Sequence, residues 1–216
     1  MSVTELLGTG RQDERGEVRG VAIGVVTNNQ DADGMARVKV RYPWREDQES
    51  YWARIAVPMA GADRGTYFLP EVGDEVLLAF DQDDIRHPYV IGALWNGQDA
   101  PPRTNDDGQN NLRVIRSRSG HEVRLDDTQG AEKIELQTQG GHLIRLDDSP
   151  GGEKIQVQDA RGANKLVIDS TQGSITLEST TTLKIKSAQV EIEASAMMTV
   201  KAGGTLTIQG ALVRIN

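Results

Sequence analysis

The last fifth of the chain, Ser174–Asn216, repeats one small unit six times. The units are Ile175-Thr-Leu-Glu, Leu183-Lys-Ile-Lys, Val190-Glu-Ile-Glu, Met198-Thr-Val-Lys, Leu206-Thr-Ile-Gln and Val213-Arg-Ile-Asn, with starts 8, 7, 8, 8 and 7 residues apart. Each sets two apolar residues, i and i+2, around one polar residue, which is the strand period. Small or turn-prone residues separate them: Ser187-Ala188, Ala194-Ser195-Ala196, Gly203-Gly204 and Gly210-Ala211. Two inward side chains per unit cannot close a core alone, so each unit needs stacked neighbours. The Asn-Gly and Asp-Gly turns of an antiparallel meander are absent from this stretch. The array therefore reads as a coil of short strands, made either by one winding chain or by three chains intertwined into a triangular prism. The sequence ends at Asn216 inside the last unit. Repeat coils normally carry a polar cap, so a partner is expected to cover that end.

The segment before the coil carries a longer repeat. Gly120-His-Glu-Val-Arg-Leu-Asp-Asp-Thr-Gln-Gly-Ala-Glu-Lys-Ile-Glu-Leu136 returns 21 residues later as Gly141-His-Leu-Ile-Arg-Leu-Asp-Asp-Ser-Pro-Gly-Gly-Glu-Lys-Ile-Gln-Val157. A degraded third copy, Lys165–Leu177, runs into the short units. Each long copy is expected to be two strands joined by an Asp-Asp-Thr/Ser-x-Gly turn, with the short units the same architecture trimmed of its turns. The long repeats occupy 119–171 and the short ones 174–216.

Upstream, composition changes. Every Trp, Tyr and Phe lies between Tyr42 and Trp95, and six of seven prolines lie between Pro43 and Pro102. Val21–Thr27, Ala36–Tyr42, Tyr51–Val57, Thr66–Leu69, Glu75–Phe80 and His87–Gly92 read as short strands. That many strands in so short a span predicts a small closed barrel of the OB type over residues 20–96. Residues 97–111 form a linker by composition, and residues 1–19 a polar N-terminal arm with one helical turn at Val3–Leu7. The fold class is thus all-β: an OB barrel, then a β-helical needle over residues 112–216.

Composition narrows the chemistry. The formal net charge of −8 argues against nucleic acid and anionic lipid surfaces as partners. Cysteine is absent, which removes disulfides, thiolate nucleophiles and Cys-ligated metals. No apolar run is long enough to span a bilayer, and the N-terminus has no apolar signal core. His121 and His142 recur beside glycine and are expected as turn residues rather than metal ligands. Asp126-Asp127 and Asp147-Asp148 are read as turn formers, because Asp bonds its own backbone and Gly accepts positive φ. Asp81–Asp84 reads as a solvated hairpin tip. The Ser/Thr cluster at Ser170–Thr182 lacks a base within reach, His87 being the only histidine outside the repeats. Trp44, Trp52 and Trp95 are expected as core or docking contacts. No catalytic residue, metal site or cofactor is expected, so the chain reads as a non-enzyme.

Pro70-Glu-Val-Gly-Asp-Glu-Val-Leu-Leu-Ala-Phe80 and His87-Pro-Tyr-Val-Ile-Gly-Ala-Leu-Trp-Asn96 resemble the OB domain of phage baseplate assembly protein V and of VgrG-type spikes. The Gly-His-x-x-Arg-Leu-Asp-Asp repeats resemble the segment after that domain in VgrG-like proteins. The short units are similar to the triple-stranded β-helix of the phage T4 spike. The resemblance covers roughly residues 20–216. It implies a homotrimer forming the central, membrane-puncturing spike of a contractile tail, tailocin or related injection system. It further implies assembly in the cytoplasm and then incorporation into the particle. No hub-like domain precedes the barrel, so a separate hub protein is implied there. No iron-binding His-x-His motif stands at the end, so a PAAR-type tip protein is expected on Val213, Arg214, Ile215 and Asn216. The expected trimer core is Ile175, Leu177, Leu183, Ile185, Val190, Ile192, Met198, Val200, Leu206, Ile208, Val213 and Ile215. The competing reading is a single-chain β-solenoid that binds or processes carbohydrate; the absence of aromatics after Trp95 speaks against it.

Overall fold

The computed structural model describes Val18, residues 20–46 and residues 48–215. The rest of the expected arm, including Val3–Leu7, and Asn216 of the expected tip site lie outside the described residues. The chain divides into two compact units, Met1–Asp106 and Asp107–Asn216.

In the first unit β1 (Val21–Asn28) pairs antiparallel with β2 (Lys39–Tyr42) and with β7 (Glu75–Phe80). β7 continues antiparallel to β8 (Pro88–Leu94), which pairs in parallel with β4 (Arg54–Ile55). A bridge between Val38 and Ala53 joins the β2 and β4 segments. The cycle β1-β2-β4-β8-β7-β1 is a closed five-stranded barrel with one parallel pair, the OB arrangement that the strand count predicts. β3 (Gln48–Glu49) extends the rim beside β2, and β5 (Ala60–Gly61) pairs with β6 (Arg64–Gly65) in a small separate hairpin.

Alternation explains the core. Val38, Val40 and Tyr42 point inward from one segment, and Val76 and Leu78 from another; all five are essentially fully buried. Val26, Ala53, Ile85 and Val90 complete the cluster. The Tyr42 hydroxyl donates to the Ile85 carbonyl at 2.9 Å, and burial pushes its pKa up to about 12. Trp44 packs tilted against Tyr42, 5.3 Å between ring centroids, and donates from Nε1 to the Ile23 carbonyl. Trp52 lies beneath Arg37 and Lys39, with the cations 5.7 and 5.5 Å from its ring. Trp95 is exposed.

Two expected strands differ. The Tyr51–Val57 segment contributes only Arg54–Ile55 to a ladder beyond the Ala53 bridge. Thr66–Leu69 joins no ladder: Tyr67 and Phe68 are both exposed, so the segment lacks the inward–outward alternation that would seat a strand on the barrel.

The second unit is an antiparallel meander of seven five-residue strands: β9 (Leu112–Arg116), β10 (Glu122–Asp126), β11 (Lys133–Gln137), β12 (Leu143–Asp147), β13 (Lys154–Gln158), β14 (Lys165–Asp169) and β15 (Ser174–Glu178). Each strand pairs with its sequence neighbours. Both long copies are two strands around their Asp-Asp turn, as the repeat predicts. Within residues 112–178 the single chain zigzags back on itself. The short units diverge from the long ones, because beyond β15 residues 179–215 join no ladder within the chain.

Candidate assembly surface

Register assigns every meander residue to a face, because paired residues share a side and alternate residues do not. One face carries two cross-strand apolar columns. The first runs Ile115, Val123, Leu136, Ile144, Val157, Leu166, Leu177; the second continues from Leu125 through Ile134, Leu146, Ile155 and Ile168 to Ile175. Most of these side chains remain more than a third exposed. A single-layer sheet has nothing of its own to set against them. At one rim of this face the first column, Ile115 to Val157, lines an open groove of about 740 Å³ bordered by His121 and His142.

The opposite face is mostly polar, with Val114, Leu143 and Val167 among its residues, and pairs charges across its strands. Glu135 is 2% exposed and sits between two guanidiniums: Arg124 contacts Oε2, and Arg145 Nε donates to Oε1 at 2.6 Å. Lys133 pairs with Asp126 at 3.6 Å and Lys165 with Glu178 at 3.2 Å. Opposite charges directly across an antiparallel pair stabilise the register. One face is therefore charge-paired and the other is open and apolar.

The turns explain the carboxylates and histidines. Asp126, Asp147 and Asp169 accept hydrogen bonds from the hydroxyls of Thr128, Ser149 and Thr171 at 2.6, 2.5 and 2.6 Å. Those bonds hold all three carboxyls below their ordinary pKa. On the other rim His121 Nδ1 accepts the Gln139 N–H at 3.2 Å, stacking one turn on the next. The described residues contain no group of three or more His, Asp or Glu placed to hold a metal. Asp81–Asp84 is the tip joining β7 to β8; there Asp84 is held well below the ordinary carboxylate range by Arg86, with His87 Nδ1 3.3 Å from its Oδ2.

Of the expected trimer-core residues, Ile175 and Leu177 stand at the end of the two apolar columns. The other ten, Leu183 to Ile215, are between 48 and 89% exposed. Val213, Arg214 and Ile215 of the expected tip site are exposed as well. The expected site residues include none of the apolar columns from Ile115 to Ile168, whose signal in the sequence is the apolar pair within each long-repeat strand. No helix among the described residues is long and apolar enough to cross a membrane.

Comparison with known proteins gives the sequence relatives. Residues 22–95 match the family described as the type VI secretion system/phage-baseplate injector OB domain. The chain is 28% identical over 137 residues to the type VI secretion system spike protein VgrG1a of Pseudomonas aeruginosa, a match covering 58% of this chain and 21% of the relative. It is 35% identical over 106 residues to VgrG2a of the same organism, covering 44% and 12%. It is 28% identical over 117 residues to the actin cross-linking toxin VgrG1 of Vibrio cholerae, covering 50% and 11%. The matched segments thus span about a fifth or less of these relatives. Residues 22–95 thus match the injector OB domain family of type VI secretion systems and phage baseplates, and the chain is similar to the VgrG spike proteins over about half its length.

Proposed function

We propose that the protein is the trimeric central spike of a contractile tail or type VI-like injection machine, acting mechanically and without catalysis. The observation that supports this most is the open apolar face of the meander opposite a polar face already paired. Three copies that turn these faces toward a common axis form a prism with an apolar core and a charged skin. Fully burying one Leu, Ile or Val contributes roughly 1.5–3 kcal/mol. Two columns over seven strands, in three copies, can therefore offset an association cost of about 4–15 kcal/mol. The short units extend the prism as an intertwined needle. A rod with every ladder edge paired along its length transmits axial force to a target membrane. The barrel docks on a hub, and Val213–Asn216 receive a tip protein of the PAAR type. The spike role of the relatives supports this placement.

Light scattering on a size-exclusion column tests the reading. A mass three times the 23.6 kDa chain, unchanged on dilution, is expected; a monomer sinks it. Deleting Ala211–Asn216 is expected to abolish tip-protein capture while the trimeric mass persists.

A further inference from the structure

The six turns inside the meander share one device. Strands β9 to β14 end at Arg116, Asp126, Gln137, Asp147, Gln158 and Asp169. Four residues past each end stands a glycine with positive φ: Gly120 (93°), Gly130 (76°), Gly141 (94°), Gly151 (76°), Gly162 (67°) and Gly173 (60°). Glycine takes this conformation without a Cβ penalty, and here it lets the chain reverse. β15 ends at Glu178, and the fourth residue past it is Thr182, in the run Ser179-Thr-Thr-Thr182. A β-branched residue at positive φ is a true outlier. No residue from 174 to 215 adopts one.

The hydrogen bonds change at the same place. On this rim the first turn residue accepts from an amide further on: Ser117 Oγ from the His121 N–H, Thr138 Oγ1 from the His142 N–H and Asp159 Oδ1 from the Ala163 N–H, each at 3.0 Å. Ser179 Oγ instead donates to the Thr182 carbonyl at 3.0 Å. The Thr180 N–H donates to Asn164 Oδ1 at 3.0 Å, and Asn164 Nδ2 is anchored on Asp159 at 2.6 Å. His121 receives the Gln139 N–H in the equivalent way, but there Gly141 follows and the chain turns back.

We propose that Ser179–Thr182 is a pairing switch: it ends self-pairing and leaves the outer edge of β15, with residues 183–215, to a second copy of this chain. Asn164 holds the exit down against the last turn, and the threonines withhold the reversal. A second copy is the fitting occupant for two reasons. The released segment keeps the apolar i, i+2 unit, yet none of its backbone joins a ladder in its own chain. A reversal like that between β11 and β12 would also set Ile185 opposite Leu177 but Ser187 opposite Ile175, so self-pairing would match only half of the apolar face. The choice of a second copy rests on the trimeric reading above; the switch itself does not.

The chain contains no cysteine, so an introduced pair reports strand pairing cleanly. Thr176→Cys with Lys186→Cys are opposite one another in the fold-back register, and both positions are exposed. The pair is placed in the full-length chain, alone and with Thr182→Gly or Thr182→Ala. Non-reducing gels, light scattering and hydrogen exchange of residues 183–215 are read on each. The intrachain disulfide is expected to rise about tenfold with Thr182→Gly, the shift produced by relieving one left-handed L-residue, and to stay low with Thr182→Ala. Equal intrachain disulfide in the parent chain and in Thr182→Gly overturns the switch. Free exchange of residues 183–215 within a confirmed trimer overturns the second-copy occupant. A monomeric parent removes the trimeric reading, while the disulfide comparison still decides the switch.

Discussion

Gly141 has φ of 94°, and a Cβ there would stand 3.4 Å from the Cβ of Ala160. Its neighbour Gly140 has ordinary φ and meets nothing nearer than 4.0 Å. Gly141→Ala is therefore expected to cost about 1–3 kcal/mol per chain, while Gly140→Ala is neutral or mildly stabilising; denaturant midpoints check the contrast. The turn carboxylates give a second prediction. Hydroxyl donors hold Asp126, Asp147 and Asp169 below their ordinary values. A depressed folded-state pKa stabilises above the unfolded value, near 3.9, and that contribution drains away as pH falls through the folded value. The triple variant Asp126→Asn, Asp147→Asn, Asp169→Asn retains an acceptor oxygen and loses the charge. It should melt below the parent at pH 7, and the gap should narrow as pH drops below about 4. A gap of constant width from pH 7 to pH 2 would mean that these charges carry no pH dependence.

Each long repeat is a strand–turn–strand–turn element whose residues recur on the same face. Deleting Glu122–His142, 21 residues, joins His121 to Leu143 and moves Ile144 and Leu146 into the places of Val123 and Leu125. The apolar columns stay in register, and two strands leave the stack. With strands about 4.8 Å apart, the proposed trimer should shorten by about 10 Å without dissociating, as measured by small-angle scattering. Deleting 20 residues from the same place should instead invert the faces downstream and abolish soluble assembly. Much of this was legible in the sequence: the 21-residue offset, the Asp-Asp turns and the strand period all read correctly from 112 to 178. The missing distinction was between strands that pair within the chain and strands that do not. Period two is identical in both, since it reports only which side a residue faces. In the barrel, Val38, Val40, Val76 and Leu78 announced their strands by alternation. β3, β5 and β6 are two residues long, too short for any period to register, and Thr66–Leu69 displayed apolar residues that face water. The candidate surface is legible in part: the short units display the apolar pair openly, and the long repeats carry the equivalent pair among charged residues.

For the whole molecule, the contrast between faces makes the strongest demand. Leu136 lies near the middle of its column, between Val123 and Ile144, and is 43% exposed in the single chain. A glutamate there costs the isolated meander little, since an exposed site solvates the charge. In a trimer with these faces on the axis, the same substitution places three carboxylates together in an apolar core. Burying a charge without a partner is strongly unfavourable, and like charges at one level add repulsion. Leu136→Glu should therefore leave the barrel folded and shift the light-scattering mass from trimer to monomer. Thr176 lies in the central row of the opposite face, two places along the ladder from Gln156. Thr176→Glu should leave the trimeric mass unchanged. Near-ultraviolet dichroism isolates the barrel, because all nine aromatic residues lie in it (three Trp, four Tyr and two Phe); an unchanged spectrum in a monomeric Leu136→Glu protein would separate loss of assembly from loss of fold. A Leu136→Glu protein that remains trimeric would place the apolar columns outside the assembly axis and overturn the orientation argued for the sheet.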